Sequence, residues 1–159
     1  MGSYRDNETS NDHAIFEFID EKNNIIVPAN FPKGTPGKGW QTINYNGSKV
    51  TVVSLIGTVY MNGRYDCPFE KIDEILDEID SEIIIVDFHG EATSEKIAYG
   101  YYVDGRVTAV LGTHTHVPTA DARILEYGTG YQTDVGMNGC LDGVIGVQKE
   151  GIIRRFMTG

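Results

Sequence analysis

Two apolar runs, each followed or ended by histidine, constrain the fold of this chain more than any other feature. Residues 82–88 and 106–111 have the composition of buried strands, and residues 93–103 between them have a helical pattern. A strand, a helix and a second strand in this order form a βαβ unit, whose two strands pair in parallel through a right-handed crossover. The sequence therefore predicts an α/β domain.

The segments around this unit predict a mixed sheet. Residues 40–45 and 49–56 flank Asn46-Gly47, a strong signal for a type I′ hairpin turn. Pro68 fits the first turn of a second helix, with an apolar stripe at Ile72, Ile75, Leu76 and Ile79. Further strands are predicted at 25–27, 123–127, 130–133, 144–147 and 152–156. Residues 1–10 are expected to be irregular and to precede a short helix with its stripe at Ile15, Phe16, Phe18 and Ile19, and residues 1–159 to form one domain.

The histidines at the ends of the two apolar runs predict a shared site. His89 ends the first run, and His114 and His116 follow the second. Ligands of open parallel sheets bind beyond the carboxyl ends of the strands, and residues i and i+2 of an extended chain point the same way. A lone histidine at a strand end is more often structural, but three imidazoles in one crevice favour a transition metal. Zinc, manganese and iron all accept imidazole.

Polar residues near these histidines are candidates for substrate contacts or for holding the ligands in place. Asp87 lies on the same side of its strand as His89, where it could bind metal or hold a histidine N–H. Asp134 could close the same crevice, or simply form a turn. Thr93 or Ser94 is expected to cap the following helix, whose free N–H groups would also favour an anion.

Charge and cysteine content narrow the class of partner. Thirteen basic against 23 acidic residues give a net charge of −10, which argues against a surface for duplex nucleic acid. No apolar run approaches the roughly 20 residues needed to span a membrane. Cys67 and Cys140 have no framework spacing, which is typical of free thiols in a reducing cytoplasm.

Several longer runs resemble the YmdB-like metallophosphoesterases. The resemblance extends over nearly the whole chain from about residue 6. It is carried by residues 86–96, 104–107, 112–121 and 133–137, with support from 28–32, 34–37 and 66–69.

The resemblance implies a calcineurin-like phosphoesterase fold, a sandwich of mixed β-sheets flanked by helices. It also implies a centre of two divalent metals, iron or manganese and alternatively zinc. Such a centre hydrolyses small phosphodiesters, including cyclic nucleotides, through attack by a hydroxide held on the metals. His89 matches the family's isolated metal histidine, and His114 and His116 match its final pair, one ligand for each metal.

The chain departs from this family in its first residues. Relatives begin with a βαβ portion that carries an aspartate and a bridging glutamate ligand, and this chain has no counterpart to it. Alignment places Asn7 on the metal asparagine and Glu8 on the histidine that protonates the leaving group. The resemblance therefore implies one metal or none as the alternative to two.

These departures leave other functions open. One is a catalytically incomplete module for binding or oligomerisation, and another is a mononuclear zinc hydrolase built on the three histidines. Missing strands would expose a sheet edge or an apolar face, which predicts a homo-oligomer or a partner chain that supplies the lost portion.

Overall fold

The computed structural model describes residues 18–22 and 24–159. The predicted helix stripe at Ile15 and Phe16, and the site candidates Asn7 and Glu8, lie outside these residues. The strands are β1 Trp40–Tyr45, β2 Ser48–Ile56, β3 Ile83–His89, β4 Ala109–Thr113, β5 Arg123–Ile124 and β6 Gly130–Gln132. The helices are α1 Pro68–Glu78, α2 Thr93–Tyr102 and α3 Lys149–Thr158, with a 3-10 turn at Ile19–Glu21.

The six strands form one mixed sheet in the order β1-β2-β3-β4-β6-β5. Strands β2, β3, β4 and β6 are parallel, whereas the edge strands β1 and β5 run antiparallel to their neighbours. The predicted βαβ unit is therefore confirmed as β3–α2–β4. Its parallel pairing brings the carboxyl ends of β3 and β4 to the same edge, where His89 lies opposite Thr113.

The predicted hairpin is confirmed at β1 and β2. Asn46 and Gly47 have φ values of 51° and 89°, and a type I′ turn requires positive φ at both central residues. The turn pairs Tyr45 with Ser48, so β2 begins one residue earlier than predicted.

The core lies on one face of the sheet. Alternate residues of β3, Ile84, Val86 and Phe88, are buried together with Ile72 and Ile75 of α1. Leu76 and Ile79 pack against this cluster while partly exposed, as their places in the predicted stripe suggest. Tyr99 of α2 stacks against Phe88 with ring centroids 4.3 Å apart. On the opposite face, Val52 and Ile85 are only partly buried among the described residues, and Leu111 is exposed.

The predictions for the C-terminal part were less accurate. The predicted strand 152–156 is wrong, because these residues lie within α3. Their apolar residues, spaced as Ile152, Ile153, Phe156 and Met157, suit one side of a helix as well as a strand. The predicted strand 144–147 is only an isolated bridge between Val144 and Val147.

Three further strand predictions also needed correction. Residues 25–27 contain a single bridge residue, Ile26, rather than a strand. Strand β4 begins three residues later than predicted because Arg106 still closes the turn after α2, through its N–H to the Val103 carbonyl. Strand β5 ends at Ile124 rather than at 127. No helix in the described part of the chain is long and apolar enough to cross a membrane.

Candidate functional site

His89 and His114 meet at the carboxyl edge of the sheet. His89 is the last residue of β3, and His114 directly follows β4. His89 Nε2 lies 3.1 Å from His114 Nδ1, and the rings pack edge to face at an interplanar angle of 72°. His89 is 5% exposed, whereas the side chain of His114 is 28% exposed. The two nitrogens therefore face each other at the margin of the core.

A hydrogen-bonded relay behind His89 determines which of its nitrogens carries the proton. Thr113 Oγ1 lies 3.0 Å from His89 Nδ1 and donates to Asp87 Oδ1 at 3.0 Å. Because an ionised carboxylate can only accept, the Thr113 hydroxyl hydrogen points to Asp87, and Thr113 Oγ1 accepts from His89 Nδ1. The Nε2 lone pair of neutral His89 is thereby directed at His114. Asp87 thus acts on His89 through Thr113.

A second carboxylate supports His114 from the other side. Glu91 Oε2 lies 2.5 Å from His114 Nε2, which assigns the proton of a neutral ring to that nitrogen. His114 Nδ1 then also presents a lone pair. Two lone pairs 3.1 Å apart repel unless a cation lies between them, either a shared proton or a metal ion. The donor set therefore fits a divalent metal, with each ligand oriented by a carboxylate in the manner usual for metal-bound histidine.

The histidine pair 114 and 116 lies on a turn rather than on extended chain. His114 has φ 125° and His116 has φ 66°, values that are uncommon for residues other than glycine. The expectation that both side chains face one site assumed an extended backbone, which these two residues do not have. His116 is exposed and lines a largely apolar cavity of about 330 Å³. Other residues that line this cavity are Val117, Val135 and Met137.

The structure thus brings two of the three predicted histidines together. Within residues 18–22 and 24–159, no three His, Cys, Asp or Glu side chains lie close enough to hold a metal ion. Ligation by His116 and Asn7 remains a prediction.

Asp134 lies beneath the turn of residues 113–116, called here the histidine turn. It follows β6, is fully buried, and pairs with Lys96 Nζ at 3.2 Å. Its carboxylate also accepts the N–H groups of Thr115 at 2.9 Å and Gly136 at 2.8 Å. Burial alone would raise the pKa of Asp134, but these donors together lower it. Asp134 therefore remains ionised and contacts the backbone between His114 and His116.

Thr93 and Ser94 are exposed at the start of α2. The predicted side-chain cap is wrong, because Ala92 occupies the N-cap position and no side chain caps the helix. The Lys96 N–H donates to the Ala92 carbonyl, the first hydrogen bond of the helix. Thr93 and Ser94 therefore lie inside the first turn rather than at the N-cap position. The role of these residues with an anion remains a prediction.

Sequence reasoning missed the parts played by Thr113, Glu91 and Lys96. Thr113 could have been found from the parallel register, since it pairs with His89. Glu91 follows His89 by two residues, and this spacing was a signal for it. Lys96 carried no signal, because a lysine in a helix is normally solvated.

Comparison with known proteins identifies the family. A profile described as YmdB-like protein matches residues 5–159. This chain belongs to the YmdB-like family. It is 51% identical over 154 residues to a 2',3'-cyclic-nucleotide 2'-phosphodiesterase of Bacillus subtilis (strain 168), covering 96% of this chain and 58% of that protein. A putative phosphatase/phosphodiesterase of Mycoplasma pneumoniae is 39% identical over 162 residues, with coverage of 95% and 58%.

Solved structures agree with this assignment. A hypothetical protein from Thermus thermophilus has a TM-score of 0.84 and 44% identity, over 93% of this chain and 58% of that one. A phosphatase from Mycoplasma pneumoniae has a TM-score of 0.80 and 37% identity, over 94% and 55%. The predicted mixed α/β fold of calcineurin-like phosphoesterases is confirmed. The YmdB-like chain spans a little under three fifths of the curated relatives it matches.

Proposed function

We propose that this YmdB-like chain carries part of a metal-dependent phosphodiesterase centre that hydrolyses small phosphodiesters such as cyclic nucleotides. The observation that supports this most directly is the pair of imidazole nitrogens, His89 Nε2 and His114 Nδ1, that face each other at 3.1 Å. The activity for which the Bacillus subtilis relative is named supports the class of substrate.

In this proposal His89 and His114 would hold one divalent metal, iron or manganese and alternatively zinc. When bound, such a metal would supply Lewis-acid activation of a phosphate ester and of water. The Asp87–Thr113 relay orients His89, and Glu91 orients His114. His116 and Asn7 are proposed for a second metal, and Glu8 stands where the family's proton donor to the leaving group is expected.

Substrate contacts are proposed at the start of α2. Thr93 and Ser94 lie at its first turn, where free N–H groups favour a phosphate anion. Asp134 acts from below the histidine turn and is proposed to support the ligands rather than to touch substrate.

The test is direct binding of Mn²⁺ to the purified chain, measured by calorimetry and repeated with Zn²⁺ and Fe²⁺. We expect binding that is lost in His89→Ala and His114→Ala but kept in Glu126→Gln, which removes an exposed carboxylate from the turn after β5. A 2',3'-cyclic nucleotide assay follows with the metal that binds. If the chain binds none of the three metals, or if His114→Ala binds as well as the wild type, the metal site is wrong.

A second candidate is a catalytically incomplete module that binds a partner or oligomerises. It is favoured by the convergence of only two candidate ligands among the described residues. Turnover of a cyclic nucleotide by the purified chain alone, abolished by His114→Ala, would rule this candidate out.

We also propose that a second copy of the chain covers α3. Phe156 and Met157 are 82% and 81% exposed, and Ile152 is the one residue of α3 that is even partly buried. A ten-residue helix is marginal in water without packing. It carries three cations and one carboxylate, whereas the whole chain has a net charge of −10, so another copy offers complementary charge.

Light scattering after size exclusion tests this assembly. We expect a dimer or larger species that Phe156→Glu dissociates and that weakens in high salt. A wild-type chain that is monomeric at all concentrations would contradict the proposal. So would a chain that does not self-associate but binds the segment of its longer relatives that has no counterpart in the 159 residues.

The two exposed free thiols, Cys67 and Cys140, support a reducing cytoplasm as the location of the chain.

A further inference from the structure

Lys96 is a lysine that the chain has buried almost completely. It lies on the inner side of α2 with 1% of its side chain exposed. Its ammonium reaches the underside of the turn that carries His114, where Nζ is 3.2 Å from Asp134 Oδ2 and 3.5 Å from the Thr113 carbonyl oxygen. A buried ammonium is costly unless it is paired, and Asp134 supplies the opposite charge under this turn.

The Lys96–Asp134 pair contacts the backbone on both sides of His114. Lys96 reaches the carbonyl of the residue before it, and Asp134 Oδ2 accepts the N–H of Thr115, the residue after it, at 2.9 Å. The other carboxylate oxygen accepts the Gly136 N–H at 2.8 Å, which ties Asp134 to its own loop. Lys96 and Asp134 are 38 residues apart in the sequence, and their side chains meet beneath this turn.

His114 itself has an unfavourable backbone conformation. A φ of 125° is uncommon for a residue with a side chain, and such values persist where surrounding contacts impose them. The contacts that flank His114 come from Lys96 and Asp134, together with the Gly90 N–H, which donates to the Thr113 carbonyl at 3.3 Å. If they were lost, the turn could relax and the His114 ring would move from His89 Nε2.

We propose that Lys96 is a positioning residue that acts through Asp134 to hold residues 113–116, so that His114 Nδ1 faces His89 Nε2. This inference rests on the proposed function for the use of the histidine pair. Its structural content, however, concerns the chain without metal and can be tested separately. A merely structural ion pair would stabilise the fold as a whole and leave the turn unchanged when neutralised.

The test is amide hydrogen exchange and ring NMR of His114 in Lys96→Met, measured without metal. We expect Thr115 N–H exchange to rise at least about tenfold relative to the strand amides of Val86 and Val110, and the His114 ring shifts to change. Lys71→Met is the control, since Lys71 is another helical lysine paired with a carboxylate, Glu74, but it is partly exposed and lies on α1, away from the turn. It should change neither quantity.

Equal changes at Thr115, Val86 and Val110, with unchanged His114 shifts, would overturn the proposal. If Lys96→Met does not fold, the double variant Lys96→Met with Asp134→Asn removes both charges and is measured in the same way. Mn²⁺ calorimetry on the wild type is kept apart from these measurements. Its failure would reject the proposed metal site, whereas the exchange data alone decide the role of Lys96.

Discussion

His89 Nε2 and His114 Nδ1 lie 3.1 Å apart, and each ring is held from behind by a different carboxylate. Asp87 acts on His89 through Thr113, and Glu91 binds His114 directly. Because the carboxylates fix the outer nitrogens as donors, the inner nitrogens of the neutral rings are both acceptors. The pair is therefore preorganised for a cation by residues of β3, β4 and the loop before α2.

Replacing Thr113 by valine should weaken this preorganisation with little change in shape. The hydroxyl that receives His89 Nδ1–H is lost, so the ring can adopt the other tautomer. Loss of such an outer partner typically reduces metal affinity about 10–100-fold. Calorimetry with Mn²⁺ measures the affinity, and ¹⁵N shifts of the His89 ring report its tautomer.

The matched control is Thr42→Val, which removes one hydroxyl hydrogen bond, to Thr51, in the β1–β2 hairpin. It should leave both quantities unchanged. Equal affinities in Thr113→Val and wild type would show that the relay does not orient His89.

Asp134→Asn should destabilise the chain in a pH-dependent way. Burial opposes ionisation of Asp134, but its N–H donors and Lys96 outweigh burial and lower its pKa in the fold. A lowered folded pKa contributes stability above the unfolded value of about 3.9, and this contribution is lost as pH falls through the folded pKa. Leaving Lys96 buried without its partner should cost about 3–5 kcal/mol at pH 7.

Urea unfolding at pH 7, 5 and 3 measures this effect. The difference between variant and wild type should shrink at pH 3, because this pH lies below the unfolded pKa of about 3.9 and the unfolded wild-type chain takes up the proton there. Asp142→Asn removes an exposed carboxylate that is 88% accessible and paired with Lys149, and it should cost less than about 1 kcal/mol. A difference for Asp134→Asn that does not vary with pH would contradict the assignment of its ionised state.

Gly112→Ala should be strongly destabilising, since β4 passes very close to the chain after β6. A Cβ at Gly112 would lie 1.8 Å from the Thr133 carbonyl oxygen, a backbone atom that cannot move without shifting the chain that follows β6. We expect a loss of about 3 kcal/mol, the upper end for overpacked sites.

Gly130→Ala provides a control in the same sheet, because its nearest contact would be an ordinary 3.5 Å. It should be neutral or stabilising by up to about 1 kcal/mol. Thermal and urea unfolding compare the two variants, and equal stability would show that the close approach of β4 to Thr133 is not maintained in solution.

Asn30→Ala should loosen the end of β2 beside His89. The Asn30 amide is fully buried and both donates to the Ile56 carbonyl and accepts the Ile56 N–H, at 2.7 and 2.9 Å. It also donates to the Asp66 carbonyl at 2.9 Å, and Ile56 pairs with His89 in the sheet. Leaving these buried backbone groups without a partner should cost about 3 kcal/mol.

Hydrogen exchange at Ile56 shows where the Asn30 effect occurs, and urea unfolding gives its size. Asn44→Ala removes an exposed amide that accepts the Gly47 N–H in the hairpin turn, and should cost less than about 1 kcal/mol. An Ile56 amide that remains as protected in Asn30→Ala as in the wild type would contradict the bridging role.

Elements with a local signal were predictable from the sequence. Asn46-Gly47 specified the hairpin because both residues tolerate the positive φ that the turn requires. The stripe at Ile72 and Ile75 specified α1, since a period of 3.6 residues places these side chains on one face. Residues 152–156 were predicted wrongly because their apolar spacing suits a strand and a helix equally. Whether such a segment forms a strand depends on a neighbouring strand to pair with, which the local sequence does not show.

The strand–helix–strand pattern in the sequence was enough to predict that His89 and His114 lie at the same edge of a parallel sheet, because such a unit strongly favours one handedness. Which nitrogens of the two rings face each other depends on the packed structure, and so does the positive φ of His116. These features depend on Thr113, Glu91 and the Lys96–Asp134 pair, and the contacts of Lys96 join residues 17 to 38 positions apart in the chain. Short-range periodicity carries no information about such contacts, since they join α2 and the loop after β6 to the turn that follows β4.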